Sequence, residues 1–167
     1  MFMGLVGSEM CIRDRDWRLP TPWEGKVRLL RFNIKTGEQY SYEPFSQQKG
    51  GIIAPPLNIS KHKLCIVWDS INGGIAGISY DNYKFKKNWE INIRPTMQPV
   101  YFEQSNELVI NHFDDKSDHL IVIDVLRGKI LSKVNLRTPM ANGMFLTPGF
   151  NNDVLYCSTL AISKVSW

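Results

Sequence analysis

Long apolar runs are missing from this chain. No uninterrupted stretch approaches the roughly 18 residues that a membrane helix needs, so no transmembrane segment is expected. Helical periodicity is missing too: after Asp16 no segment sustains apolar residues at i, i+3 and i+4. Cysteine is scarce, and Cys11, Cys65 and Cys157 make no CxxC or other metal-ligand spacing. Cys65 and Cys157 sit in apolar runs, where a buried free thiol is the common case. Basic stripes are missing as well. The formal net charge is +4, but Lys and Arg occur singly or in pairs such as Lys86-Lys87, so no nucleic-acid partner is expected. Gly73-Gly74 has no helix after it and is not a phosphate loop.

What is present is a series of short apolar runs separated by turn residues, which predicts an all-β fold. The runs are Val27–Phe32, Leu64–Trp68, Ile75–Tyr80, Leu108–Ile110, Leu120–Val125, Ile130–Val134 and Val154–Cys157. They are rich in Val, Ile, Tyr and Phe, which suit a pleated, packed surface. Between them lie Lys35-Thr36-Gly37, Asn72-Gly73-Gly74, Ser105-Asn106, Arg127-Gly128, Pro148-Gly149 and Asn151-Asn152.

The turns recur with a period of about 45 residues. Asn33 to Gly37 and Asp124 to Gly128 each place Gly four residues after Asn or Asp, with Asp81 between them after an apolar strand. Lys63-Leu64, Glu107-Leu108 and Asp153-Val154 each open an apolar strand after a turn, in step with the first marker. Strands at four positions per period predict β-propeller blades, each burying both sheet faces and so carrying continuous apolar runs. A β-sandwich is the competing fold, since it too has many short strands.

The stretch from Tyr80-Asp81 to Trp89 resembles the blade repeat of quinoprotein-dehydrogenase-like propellers, where Asp, a turn Gly and a Trp mark the outer hairpin. Asn33/Gly37 and Asp124/Gly128 supply the Asp-and-Gly half. Phe85 stands where the Gly is expected, and Ser41 and Ser132 stand where the Trp is expected. The resemblance implies a β-propeller fragment of about three four-stranded blades. Residues 26–46 are then an outer hairpin, 47–92 and 93–138 complete blades, and 139–167 an incomplete terminal blade ending in a third strand over Ala161–Trp167. The resemblance is also compatible with a periplasmic or secreted location.

Gly4 to Arg15, GLVGSEMCIRDR, resembles a translated sequencing-adapter remnant. Residues 1–15 are therefore expected to be an unstructured leader outside the fold of 16–167, and any signal peptide would be missing from the sequence.

In a propeller, sites gather on the face shared by the inter-blade loops and the turns between second and third strands. The first loop set holds Gln48, Arg94, Thr96, Arg137, Asn142 and Gly143. The second holds Trp68, Asp69, Asn72, His112, Asp114, Asp115 and Asp118. Arg94, Arg137, Asp69, His112 and Trp68 are the candidate ligand-binding residues, for a polar or anionic small molecule or a protein partner of unknown identity. A solvated loop surface accounts for the same residues. His112 and His119 flank an acidic turn, and nothing pairs them with a nucleophile, so no catalytic residue is assigned. Two functional classes follow. One is a binding or scaffold propeller without a cofactor. The other is a fragment of a propeller enzyme, a quinoprotein-type oxidoreductase first among them. The resemblance would then imply pyrroloquinoline quinone stacked on Trp68 and Ca²⁺ beside Asp69, although the adjacent-cysteine pair of many such enzymes is absent.

Overall fold

A computed structural model describes residues 3–5, 27–46, 54–81, 84–139, 143–158 and 161–167, with the side chains of 3–5 and 137–144 left out. Among the described residues there are fourteen strands and, besides them, one short 3-10 turn at Ser60–His62. The protein is all-β. The strands form four antiparallel sheets, each built from consecutive segments of chain. The first sheet holds β1 (Met3–Leu5), β2 (Leu29–Phe32) and β3 (Gln39–Tyr42). The second holds β4 (Leu57–Ile59), β5 (Leu64–Trp68), β6 (Ile75–Asp81) and β7 (Lys84–Ile91). The third holds β8 (Val100–Phe102), β9 (Glu107–Phe113), β10 (Ser117–Asp124) and β11 (Lys129–Pro139). The fourth holds β12 (Gly143–Pro148), β13 (Asp153–Ser158) and β14 (Ile162–Ser166). The chain divides into two compact units, residues 1–92 and 93–167.

Of residues 1–15 only Met3–Leu5 is described, and it pairs with β2, Met3 opposite Arg31 and Leu5 opposite Leu29. A strand edge offers unpaired N–H and C=O groups that any extended backbone satisfies, whatever its side chains. The other residues of 1–15 lie outside the described set.

Repeated turn chemistry holds the hairpins. The Asn33 side chain accepts the N–H groups of Lys35 and Thr36 (3.0 and 3.4 Å), and Gly37 N–H reaches the Asn33 carbonyl at 2.8 Å. Asp124 does the same for Leu126 and Arg127 (3.0 and 3.1 Å), and Gly128 closes on its carbonyl at 2.8 Å. Gly37 and Gly128 sit at φ 74° and 66°, where a side chain is strained. Asp81 does not share this geometry. It pairs with Lys84 across a shorter connection, and its carboxylate meets Lys63 at 3.4 Å.

A second marker refines the repeat register. Lys63, Asn106 and Asn152 all adopt left-handed backbone (φ 48°, 56° and 44°) immediately before β5, β9 and β13. The equivalent strand openings are therefore Leu64, Glu107 and Asp153. In the third and fourth sheets this is one residue earlier than apolar character alone suggests. Cys65, Leu108 and Val154 then correspond, as do Trp68, Asn111 and Cys157.

Each unit has its own core. In the first, Val27, Leu29 and Phe45 pack with Cys65, Val67, Ala76 and Ile78. In the second, Met97, Val100, Val109, Leu120 and Val122 pack with Leu146, Val154 and Tyr156. The opposite faces of the inner strands are buried as well: Ile66, Ile75, Leu108, Ile110 and Ile123 are each 0% exposed. Trp89 stands opposite Gly77 on neighbouring strands, and a Cβ at Gly77 would collide with the indole. The outer strand β7 is largely exposed and carries Lys84, Lys86 and Lys87. It lacks an apolar run, so the sequence patterning passes it over; its lysines suit an edge position.

Candidate functional site

Trp68 and Asp69 close β5 in the first unit. Trp68 is 1% exposed and Asp69 is 0% exposed. Asp69 Oδ1 accepts the N–H groups of Ile71 (2.8 Å) and Asn72 (3.2 Å), and Oδ2 accepts the Asn72 side-chain amide at 3.0 Å. Its own N–H donates to the Gly74 carbonyl at 3.0 Å. The carboxylate organises the β5–β6 turn. A buried indole with no open face and a carboxylate engaged on both oxygens do not fit a stacked quinone beside a Ca²⁺ ion.

Arg94 and His112 meet in the second unit. Arg94 N–H donates to His112 Nδ1 at 3.0 Å. A backbone amide cannot give up its proton, so Nδ1 is the bare nitrogen and the proton of the neutral ring sits on Nε2. Burial pushes the His112 pKa below its ordinary value. Lys133, His119 and Arg94 push it the same way, against an opposing contribution from Asp114. The Arg94 guanidinium pairs with Asp115 and lies 5.1 Å from the Phe113 ring centroid. The His112 and His119 rings stack with centroids 5.9 Å apart.

The β9–β10 turn is built like its counterpart after β5. Asp114 Oδ1 accepts the N–H groups of Lys116 (3.0 Å) and Ser117 (2.8 Å), while Oδ2 meets His119 Nε2 at 2.7 Å. The His119 hydrogen bond, helped by those two amides, holds the Asp114 carboxyl well below the usual carboxylate range. His119 Nδ1 is buried with no hydrogen-bond partner.

Beneath this turn lies a polar network that sequence patterning does not reveal. Asn111 is 0% exposed. Its Oδ1 accepts the N–H groups of Thr96 and Met97, both at 3.0 Å. Its Nδ2 donates to Thr96 Oγ1 (2.6 Å) and Asp118 Oδ1 (3.1 Å), so all four of its hydrogen-bonding positions are used. Tyr156 O–H, from β13, donates to Asp118 Oδ2 at 2.5 Å. The network ties the loop before β8 and strands β9 and β10 to the fourth sheet. Asn111 ends the apolar run from Leu108, and Tyr156 interrupts another; a polar atom inside such a run is the signal that was available.

The candidate residues thus separate. Trp68 and Asp69 serve a turn in the first unit, and Arg94 and His112 share a cluster in the second. Arg137 lies within β11 rather than in a connecting loop, because β11 runs on to Pro139, and its side chain is outside the described set. Gly143 likewise begins β12, while Gln48 and Asn142 are undescribed. Cys65 and Cys157 are free thiols, and burial pushes Cys65 up to about 12. No group of three or more His, Cys, Asp or Glu able to hold a metal occurs among the described residues. No protein-family model matches the chain, and no curated protein matches it significantly.

Proposed function

We propose that the chain is part of a β-propeller acting as a binding or scaffold module, with the Arg94–His112 cluster as its contact point. The observation that carries the reading is burial on both faces of the inner strands. All five residues of β5 are buried, as are Asp118 to Ile123 of β10. A sandwich sheet leaves one face to solvent and alternates, whereas a blade is covered on both sides. Successive meander sheets and their shared turn geometry support the same reading.

At the contact point, the Arg94 guanidinium pairs with a carboxylate, Asp115, that is itself largely exposed, and His112, which accepts the Arg94 amide, carries a further donor on Nε2. An anionic group displacing Asp115 would gain a charge-assisted pair with Arg94, which fits a polar or anionic small molecule or an acidic protein segment. A thermal-shift screen of di- and tricarboxylates and phosphates tests this. Binding should weaken at least about tenfold in Arg94→Ala, while the unliganded melting temperature falls only modestly, since the Asp115 side of the ion pair is exposed and the loss is mainly the Phe113 contact. Equal binding by wild type and variant would remove Arg94 from the site. The quinoprotein alternative makes a separate prediction: pyrroloquinoline quinone added with Ca²⁺ would give a saturable absorbance change. The engaged Asp69 carboxylate favours no such change.

A further inference from the structure

The segment that leads into β8 is laced to the end of β9 by two neighbouring side chains. Asn111 Oδ1 accepts the N–H groups of Thr96 and Met97, both at 3.0 Å. His112 Nδ1 accepts the N–H of Arg94, also at 3.0 Å. Pro95, between them, has no N–H to offer. The Arg94 carbonyl is held as well, by the Phe113 N–H at 3.1 Å. These bonds fix the path of residues 94–97, but they are not alike. The amide oxygen of Asn111 accepts at any ordinary pH, whereas an imidazole nitrogen accepts only while it is bare.

A proton taken up by His112 goes to Nδ1, because Nε2 already carries one. Nδ1–H then faces the Arg94 N–H, donor against donor, where a hydrogen bond of 3.0 Å stood. The bond is lost outright, and the contact becomes repulsive. Several groups decide where this happens. Burial opposes a positive ring first of all; Lys133 on β11, His119 on β10 and Arg94 itself oppose it too, while Asp114 in the β9–β10 turn favours it. The balance leaves the His112 pKa below its ordinary value of 6.5. The bond is therefore intact near neutrality and is lost as pH falls through the folded value.

From this wiring we propose that His112 is a positioning residue and an acid-released latch: its protonation detaches Arg94 from the end of β9, while Asn111 keeps Thr96 and Met97 in place. The latch holds Arg94 at neutral pH and loosens it in mild acid. Its bearing on ligand binding rests on the contact-point reading above. The latch itself is measured without any ligand, so either can fail alone.

Amide hydrogen exchange on the full chain, followed by NMR between pH 7 and pH 5 and corrected for intrinsic rates, tests it. Ordinary carboxylates titrate near pH 4, about one unit below this range. Protection of the Arg94 and Phe113 amides should fall in step with the His112 ring resonances. The slope should reach about tenfold per pH unit, that of one proton taken up. Thr96 and Met97 should keep their protection. His112→Asn keeps an acceptor near the place of Nδ1 and does not titrate, so Arg94 protection should stay level across the range. If that variant leaves Arg94 unprotected even at pH 7, His119→Gln takes its place; it removes the other titrating ring of the stack, and the acid loss at Arg94 should persist. The proposal is overturned if Arg94 stays protected through the His112 transition, or if Phe113 keeps its protection when Arg94 loses it. Loss at Thr96 and Met97 together with Arg94 would also overturn it, because that is a wider opening. So would an acid loss that survives His112→Asn or vanishes in His119→Gln.

Discussion

Trp68 and Asn111 occupy the same place in the repeat, the fifth residue after a left-handed entry to the second strand of a sheet, yet they fill it by opposite means. Trp68 is 1% exposed and Asn111 is 0% exposed. In the first unit the position takes an indole and is held by dispersion and dehydration. In the second it takes an amide, and burial is tolerable only because every donor and acceptor of that amide is matched. The backbone repeat thus specifies a buried site at the end of the strand, not the chemistry that fills it. The polar solution also fixes the loop before β8 and reaches into the fourth sheet through Asp118 and Tyr156.

The contrast can be broken most strongly at the apolar end. Trp68→Ala should cost about 3–5 kcal/mol, because removing a large buried side chain leaves a cavity. Urea denaturation of the full chain measures it, and a cost under about 1 kcal/mol would mean the site collapses or is wet.

At the polar end, Tyr156→Phe keeps the ring and deletes one donor to Asp118. The expected loss is about 1–3 kcal/mol, from leaving a buried carboxylate oxygen short of a partner. Asn111→Leu is the sharper comparison, since it imports the apolar solution into the polar position. It should destabilise at least as much as Tyr156→Phe, because the amides of Thr96 and Met97 lose their acceptor. If Asn111→Leu is neutral, the two solutions are interchangeable and the network has no structural role.

The turns above both positions use a carboxylate on amides two and three residues ahead. Asp69→Ala should cost roughly 0.5–2 kcal/mol, the range for losing a side-chain acceptor of backbone amides, and Asp114→Ala should destabilise in the same direction. Asp69→Ala should be the costlier, since its carboxylate is buried and binds Asn72 as well. Melting temperatures of the two variants give the order.

The smallest effect is pH dependence. His112 has a lowered pKa in the folded chain, so between that value and the ordinary value near 6.5 the unfolded chain binds more protons. Its contribution is present above about pH 6.5 and is lost as pH falls through the folded value. His112→Asn keeps an acceptor for the Arg94 amide and cannot titrate. The variant should flatten the stability-versus-pH curve of the chain between pH 7 and pH 5, as followed by urea midpoints. An unchanged slope would assign the dependence to other groups.

Some of this was legible beforehand. The apolar runs at Leu64–Trp68 and Val154–Cys157 lie within β5 and β13, and Asn33/Gly37 and Asp124/Gly128 share one turn geometry. Strands such as β7, β8 and β12 were not legible, because short or outward-facing strands carry no continuous apolar signal. Arg137 was misplaced for a related reason: a strand that is polar in its last residues looks like a loop.

Local pattern in the chain was enough to establish the strand class, the approximate period and the turn residues, because each depends on neighbours within a few positions. The residue-level register depended on which residue before each strand turns left-handed, and apolar character misjudged it by one. The role of each polar candidate depended on partners far along the chain. Asp69 was claimed by its own turn, Arg94 by Asp115, and Asp118 by a tyrosine 38 residues away. A side chain's chemistry can be read from its name, but whether its hydrogen-bonding capacity is already spent depends on what folding brings beside it.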